Sequence, residues 1–140
     1  MKLALTDTVV VRTLVALLLF GALSAAVGAG IALVANGAGV PVAYLEDSPF
    51  SSYLVPGLIL GVVVGGTQLC AAISLLVRGG RGMLLAAVAG FGMQIWIFAE
   101  LAILREYSPL QTAYFALGAL ELILVLVRLG VADSPDVKRL

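Results

Sequence analysis

"YFALGALELILVLV", residues 114 to 127, has the composition of a helix that crosses a membrane, yet Glu121 lies in the middle of it. About 20 apolar residues let a helix cross the hydrocarbon core of a bilayer. The apolar run extends from Leu110 to Gly130, which is long enough. An ionised carboxylate in hydrocarbon is costly, so Glu121 must be protonated, paired or in contact with water.

The composition of the whole chain also indicates that lipid, rather than water, surrounds most of it. Hydrophobic residues make up 62% and charged residues 11% of the 140 residues, and the mean hydropathy is +1.17. A soluble domain is nearer half apolar and a quarter charged. We therefore predict an all-α fold, a polytopic membrane protein with a single four-transmembrane-helix bundle. Its predicted parts are spans at about 13–35, 53–77, 83–104 and 110–130, an external loop at 36–52 and a cytoplasmic tail at 131–140.

The distribution of basic residues predicts the orientation. Seven lie on one side of the spans: Lys2, Arg12, Arg78, Arg81, Arg128, Lys138 and Arg139. The other side carries only Arg105. Cytoplasmic loops are enriched in Lys and Arg, so both termini are predicted to be cytoplasmic. Abundant Ala, Val, Leu and Gly, with arginine favoured over lysine, suggest a bacterial plasma membrane.

Small residues recur every four positions and predict close helix packing. The glycines concerned are Gly21 and Gly28 in the first span, Gly57, Gly61 and Gly65 in the second, and Gly90 in the third. Packing within one bundle is favoured for any single strip. The alternative is that one strip, above all that of the second span, joins copies of the chain, and the number of strips favours a homo-oligomer.

Polar residues within the spans are the candidate functional residues. Gln68, Gln94 and Glu121 are predicted to form a polar layer inside the bundle, because an amide can donate to or accept from a carboxyl group. Glu100 is expected nearer the outside, within reach of Arg105 or the loop. Trp96 and Tyr114 are expected to support these groups, because a deep indole N–H needs a partner.

Several classes of site are not predicted. The chain has no His, and its one cysteine, Cys70, lies in an apolar run. Zero net charge and the lack of a basic patch argue against nucleic-acid binding. We predict no metal site and no cofactor. An enzyme is the least favoured class, because acid and base chemistry would rest on Glu100 and Glu121 alone.

The stretches "SPFSSYLVPGLILGVVVGG" (48–66) and "GFGMQIWIFAELAIL" (90–104) resemble small uncharacterised bacterial four-span membrane proteins. The similarity covers about residues 48 to 125, and the general plan resembles DoxX-like proteins. This resemblance implies a four-span fold and no particular activity. Small multidrug exporters also share the plan, but they carry an essential glutamate in the first span, where this chain has none.

Two functions remain open. One is an oligomeric transport or channel protein in which Glu121 and Glu100 bind a proton, an ion or a small cation. The other is a non-catalytic membrane subunit, or a protein that binds a lipid, a quinone or another hydrophobic ligand. The expected partners are membrane lipid and either further copies of the chain or a membrane partner protein.

Overall fold

The computed structural model describes the backbone of residues 2 to 131 and the side chains of residues 7 to 131. These residues contain four long helices and no β-strand, which confirms the predicted all-α fold. The helices are α1 (Lys2–Ala35), α2 (Leu54–Leu76), α3 (Gly82–Leu104) and α4 (Pro109–Arg128). The predicted tail lies, from residue 132 onwards, outside the described residues.

All four helices are long and apolar enough to cross a membrane, with mean hydropathies from 1.8 to 2.3. The chain is thus a multi-pass membrane protein. The main difference from the predicted spans is at α1, whose helix begins at Lys2, well before Thr13. Residues 2 to 12 contain no glycine or proline. The helix therefore continues beyond the apolar segment, since apolar length and helix length are set by different residues.

The glycine strips of α1 and α2 pack against each other within one chain. A Cβ on Gly57 would lie 2.6 Å from Cβ of Ala32, and one on Gly61 would lie 2.8 Å from Cβ of Ala29. The missing side chains let the two backbones approach closely. The α2 strip faces α1, in agreement with the favoured interpretation that these glycines pack within one bundle.

The helix α2 is interrupted by a π-helical segment, Ile59–Val64, which the sequence analysis did not predict. Such segments are usually single turns and often occur at functional sites. Here the segment carries Leu60, whose Cδ2 atom would lie 2.9 Å from a Cβ on Gly28. The widened turn thus places Leu60 against α1, where it forms part of a cavity described below.

The loop between α1 and α2 is built around Tyr53. Its backbone N–H donates to Oδ1 of Asn36 at 3.0 Å, and its hydroxyl donates to the carbonyl oxygen of Pro41 at 3.0 Å. Burial raises the pKa of the Tyr53 phenol, so this hydroxyl keeps its proton at neutral pH. Gly37 adopts φ +92°, and a Cβ there would lie 2.8 Å from the Tyr53 ring. Tyr53 is therefore a structural centre of the loop.

Candidate functional site

A hydrogen-bonded pair, Gln68 and Glu121, lies inside the bundle, and both side chains are fully buried. Nε2 of Gln68 donates to Oε2 of Glu121 at 2.9 Å and to the carbonyl oxygen of Ala89 at 3.3 Å. The Ala89 oxygen can only accept, so the orientation of the amide is fixed. Gln68 of α2 is therefore hydrogen-bonded to both α3 and α4. The contact between Gln68 and Glu121 is the one that the sequence predicted.

The pair leaves two oxygens without a partner. Neither Oε1 of Gln68 nor Oε1 of Glu121 has a hydrogen-bond partner among the described residues. Buried polar atoms are usually hydrogen-bonded, so such exceptions need an explanation. The two oxygens give this interior position acceptor capacity that the described side chains do not use.

Gly21 on α1 completes the surroundings of the pair. A Cβ at this position would lie 2.6 Å from Oε1 and 2.9 Å from Cδ of Gln68. The glycine, predicted as a packing residue, therefore provides the space for the Gln68 amide. Buried apolar side chains lie on both sides of the pair; Leu14, Leu18, Ala86 and Val125 belong to one cluster and Val64, Met93 and Leu117 to the other.

Gln94 does not join the pair. Among residues 7 to 131, no hydrogen bond links it to Gln68 or Glu121. Its Cγ atom lies instead against Gly118, 3.1 Å from where a Cβ would be. The antiparallel contact of α3 with α4 places Gly118, rather than Glu121, opposite Gln94, so the predicted three-residue layer is reduced to two residues.

A second polar group lies at the end of the bundle that carries the loop 36–53 and the 105–108 connection, called here the loop end. Nε2 of Gln111 donates to Oε1 of Glu100 at 3.3 Å, and Trp96 lines the same cavity beside this carboxyl group. Arg105 does not contact Glu100. Arg105, one of the two expected neighbours of Glu100, pairs instead with Asp47 in the loop at 2.9 Å.

Gln111 is a site residue that the sequence analysis missed. It is buried, and its Oε1 atom accepts from the backbone N–H of Ser108 at 2.9 Å. Ser108 and Gln111 form a capping box at the start of α4, with Pro109 in the first turn. The pattern Ser-Pro-Leu-Gln is the signal that could have revealed it. The cap fixes the Gln111 side chain, which then fixes Glu100.

Beside Glu100 is a cavity of about 360 Å³ lined by residues of all four helices, with Leu60 as the contribution of α2. Its walls are mainly apolar and aromatic, and they include Gly28, Leu60, Met93, Trp96, Ile97, Leu110 and Tyr114. Glu100 and Gln111 supply the polar end. The Tyr114 ring stacks on Phe20 of α1, with 6.4 Å between the ring centroids. The predicted residues Trp96 and Tyr114 thus line the same cavity as Glu100, and neither is hydrogen-bonded to the interior pair.

The cavity is not closed off from the surface of the bundle. Val27 of α1 and Leu110 of α4, which line it, are 55% and 65% exposed. The interior pair does not line this cavity. Within the described part of the chain, no group of three or more His, Cys, Asp or Glu side chains could hold a metal ion.

Comparison of the chain with protein-family models, with curated proteins and with solved structures returned no match. The resemblance to DoxX-like proteins therefore stays a prediction.

Proposed function

We propose that this membrane protein binds a small amphiphilic cation, which enters from the bilayer and places its charged group at Glu100. The observation that carries this proposal is the cavity of about 360 Å³, which is apolar over most of its surface and has one carboxyl group at its polar end.

The residues at the polar end match this ligand chemistry. Glu100 provides an acceptor for a positive charge, and Trp96 and Tyr114 provide aromatic rings beside it. Aromatic faces attract cations, and the attraction increases when water is excluded. Apolar walls with a few polar groups are typical of small-ligand sites. A hydrophobic amine or quaternary ammonium satisfies both parts of the cavity.

The entrance favours a ligand that is already dissolved in the membrane. The opening between Val27 and Leu110 faces the surface that lipid would cover. A ligand with an apolar body can therefore enter sideways, without passing through the buried Tyr53 centre of the loop. This binding role agrees with the hydrophobic-ligand alternative from the sequence.

The protein contains its own reporter for this test, because Trp96 is the only tryptophan in the chain and lines the cavity. Purified protein in detergent would be titrated with benzyltrimethylammonium while tryptophan fluorescence is recorded. Neopentylbenzene, which has carbon in place of the ammonium nitrogen, tests whether charge is needed. We expect saturable binding of the cation and at least tenfold weaker binding of the neutral compound.

Matched variants connect the signal to Glu100. Glu100→Gln keeps the size of the side chain and removes the charge, so it should weaken cation binding at least tenfold. Glu106→Gln removes a charge from the exposed connection at the same end and should bind as wild type does. Equal binding of the cation by wild type and Glu100→Gln would overturn the proposal.

Transport of a proton or small cation is a second candidate, favoured by the two unpaired oxygens of Gln68 and Glu121. Ionisable residues inside a membrane protein often mark ion and proton pathways. In this proposal Glu121 is a second binding position, farther from the loop end, for charge that enters at Glu100.

Flux in reconstituted vesicles tests this candidate. Glu121→Gln should abolish proton or cation flux and leave expression and ligand binding at the cavity unchanged. Flux equal to wild type would assign Glu121 to structure alone. Co-purification of a membrane partner, without flux or cation binding, would instead favour the non-catalytic subunit.

We further propose that the protein lies in a bacterial plasma membrane with both termini in the cytoplasm. The seven-to-one distribution of basic residues supports this orientation. The homo-oligomer also stays a prediction, and its main support is weaker because the α1 and α2 strips pack within the chain. Native mass spectrometry would give the subunit count.

A further inference from the structure

We propose a second binding site at the opposite end of the bundle, where arginines from α1, α4 and the connection between α2 and α3 hold the phosphate headgroup of an anionic phospholipid. This end carries the start of α1, the end of α4 and the α2–α3 connection, and it is called here the terminal end. The site is distinct from the cavity at the loop end and does not depend on the function proposed for that cavity.

The site is a cavity of about 750 Å³ lined by Arg12 of α1, Arg78 after α2 and Arg128 of α4. Asp7 is the one acidic residue in its lining, and it pairs with Arg128 at 3.7 Å. Among the described residues, Arg12 and Arg78 form no ion pair. Three positive charges therefore face one negative charge, and this excess attracts an anion.

The remaining walls distinguish a lipid from a free anion. Val11, Val15, Leu75 and Met83 line the same cavity as the arginines. A free phosphate would gain nothing from these side chains, whereas the glycerol and the first acyl carbons of a phospholipid would bury against them. Basic pockets between transmembrane helices commonly bind anionic lipid headgroups.

The end of α2 sets the backbone conformation at Arg78. Arg78 has φ +55°, and the N–H groups of Arg78 and Gly79 donate to the carbonyl oxygens of Leu75 at 3.2 Å and Ser74 at 2.7 Å. These two bonds form a Schellman motif, in which the left-handed position usually holds glycine. The helix end therefore fixes the backbone of Arg78 beside the cavity, and glycine would fit that backbone at least as well.

This conformation also provides a useful variant. Arg78→Gly removes the charge and relieves the backbone, so the variant should fold at least as well as wild type. Arg78→Lys keeps the charge. Arg105→Gln is the matched control, because Arg105 also has a positive φ, +53°, but pairs with Asp47 at the loop end.

Native mass spectrometry of the full chain in mild detergent, with equal amounts of phosphatidylglycerol and phosphatidylcholine, measures the preference. Wild type should retain phosphatidylglycerol selectively. The affinity for phosphatidylglycerol should fall roughly fivefold in Arg78→Gly and roughly thirtyfold in the double variant with Arg12→Gln. The two losses multiply because each arginine near an anionic headgroup contributes a similar free energy of binding. Arg78→Lys and Arg105→Gln should stay close to wild type.

Three results would contradict the lipid site. Equal retention of the two lipids, or full retention by the folded double variant, would overturn the proposal. Inorganic phosphate that displaces phosphatidylglycerol at equal concentration would also overturn it, because the ligand would then be a free anion. None of these results would affect cation binding at Glu100.

Discussion

At the scale of single residues, the Gln68 amide is what Glu121 contacts within its apolar helix. The carboxyl group has one donor, at 2.9 Å, and the same donor also binds the Ala89 carbonyl. Interhelical hydrogen bonds in membranes are modest, averaging about 0.6 kcal/mol. The pair therefore mainly specifies which faces of α2, α3 and α4 pack together. Its contribution to the total free energy of unfolding is small.

Replacing Glu121 tests this structural part. Glu121→Gln keeps an acceptor for the Gln68 amide, so the free energy of unfolding, measured by thermal denaturation in detergent, should change by less than about 0.5 kcal/mol. Glu121→Leu removes the acceptor and should lower the free energy of unfolding by about 1 kcal/mol. A larger loss in Glu121→Gln than in Glu121→Leu would contradict the hydrogen-bond geometry.

The start of α4 offers a second test at this scale. Ser108→Ala removes the N-cap and should lower stability by about 1 kcal/mol. It should leave cation binding nearly unchanged, because Gln111 still bonds to Glu100. Gln111→Ala removes both bonds of that side chain, so fluorescence titration should show weaker binding as well. Unchanged binding in a folded Gln111→Ala would show that Glu100 does not need this partner.

These residues also mark the limit of sequence reasoning. The sequence predicts Gln68 as a partner of Glu121, because an amide can bond to a carboxyl group and the spans hold few polar side chains. It predicts Gln94 as well, because Gln94 and Glu121 have similar depths when residues are counted along each helix. The contact of Gly118 with Gln94 shows an offset that depends on helix register, and the sequence pattern does not give that register.

At the scale of helices, small residues determine how closely α1 and α2 approach. Their spacing predicted close packing but not the partner, since a glycine strip fits a helix of the same chain or of another copy equally well. The π-helical segment of α2 was also not predictable, because Ile59–Val64 has ordinary apolar composition.

A pair of alanine substitutions in α2 tests this packing. Gly57→Ala places a Cβ 2.6 Å from Cβ of Ala32 and should destabilise the bundle by about 1–3 kcal/mol. Gly66→Ala is the control, because nothing lies within 4 Å of its added Cβ. Thermal unfolding in detergent should separate the two variants, and equal melting temperatures would contradict the α1–α2 contact.

At the scale of the whole molecule, composition and the lengths of the apolar runs were sufficient to predict the helical class and the number of spans. They could not locate the cavity, which depends on side chains from four helices that lie beside Glu100. The proposed orientation rests on the distribution of basic residues and has its own test.

Cysteine labelling in intact cells checks the orientation. In a Cys70→Ser background, Ser51→Cys lies in the loop end and Gly80→Cys in the α2–α3 connection, and both positions are exposed. A membrane-impermeant maleimide should label only Ser51→Cys before lysis and both variants after it. Labelling of Gly80→Cys in intact cells would reverse the proposed orientation.

Quenching of Trp96 in vesicles is the most direct test of a lipid-accessible, cation-binding cavity. Trp96 lies roughly 12 Å inside the loop end of α3, at 1.5 Å per residue. Lipids with brominated acyl chains should quench its fluorescence, aqueous iodide should not, and benzyltrimethylammonium should reduce the lipid quenching in wild type but not in Glu100→Gln. Strong quenching by iodide, or lipid quenching that the cation leaves unchanged in wild type, would contradict the proposed site.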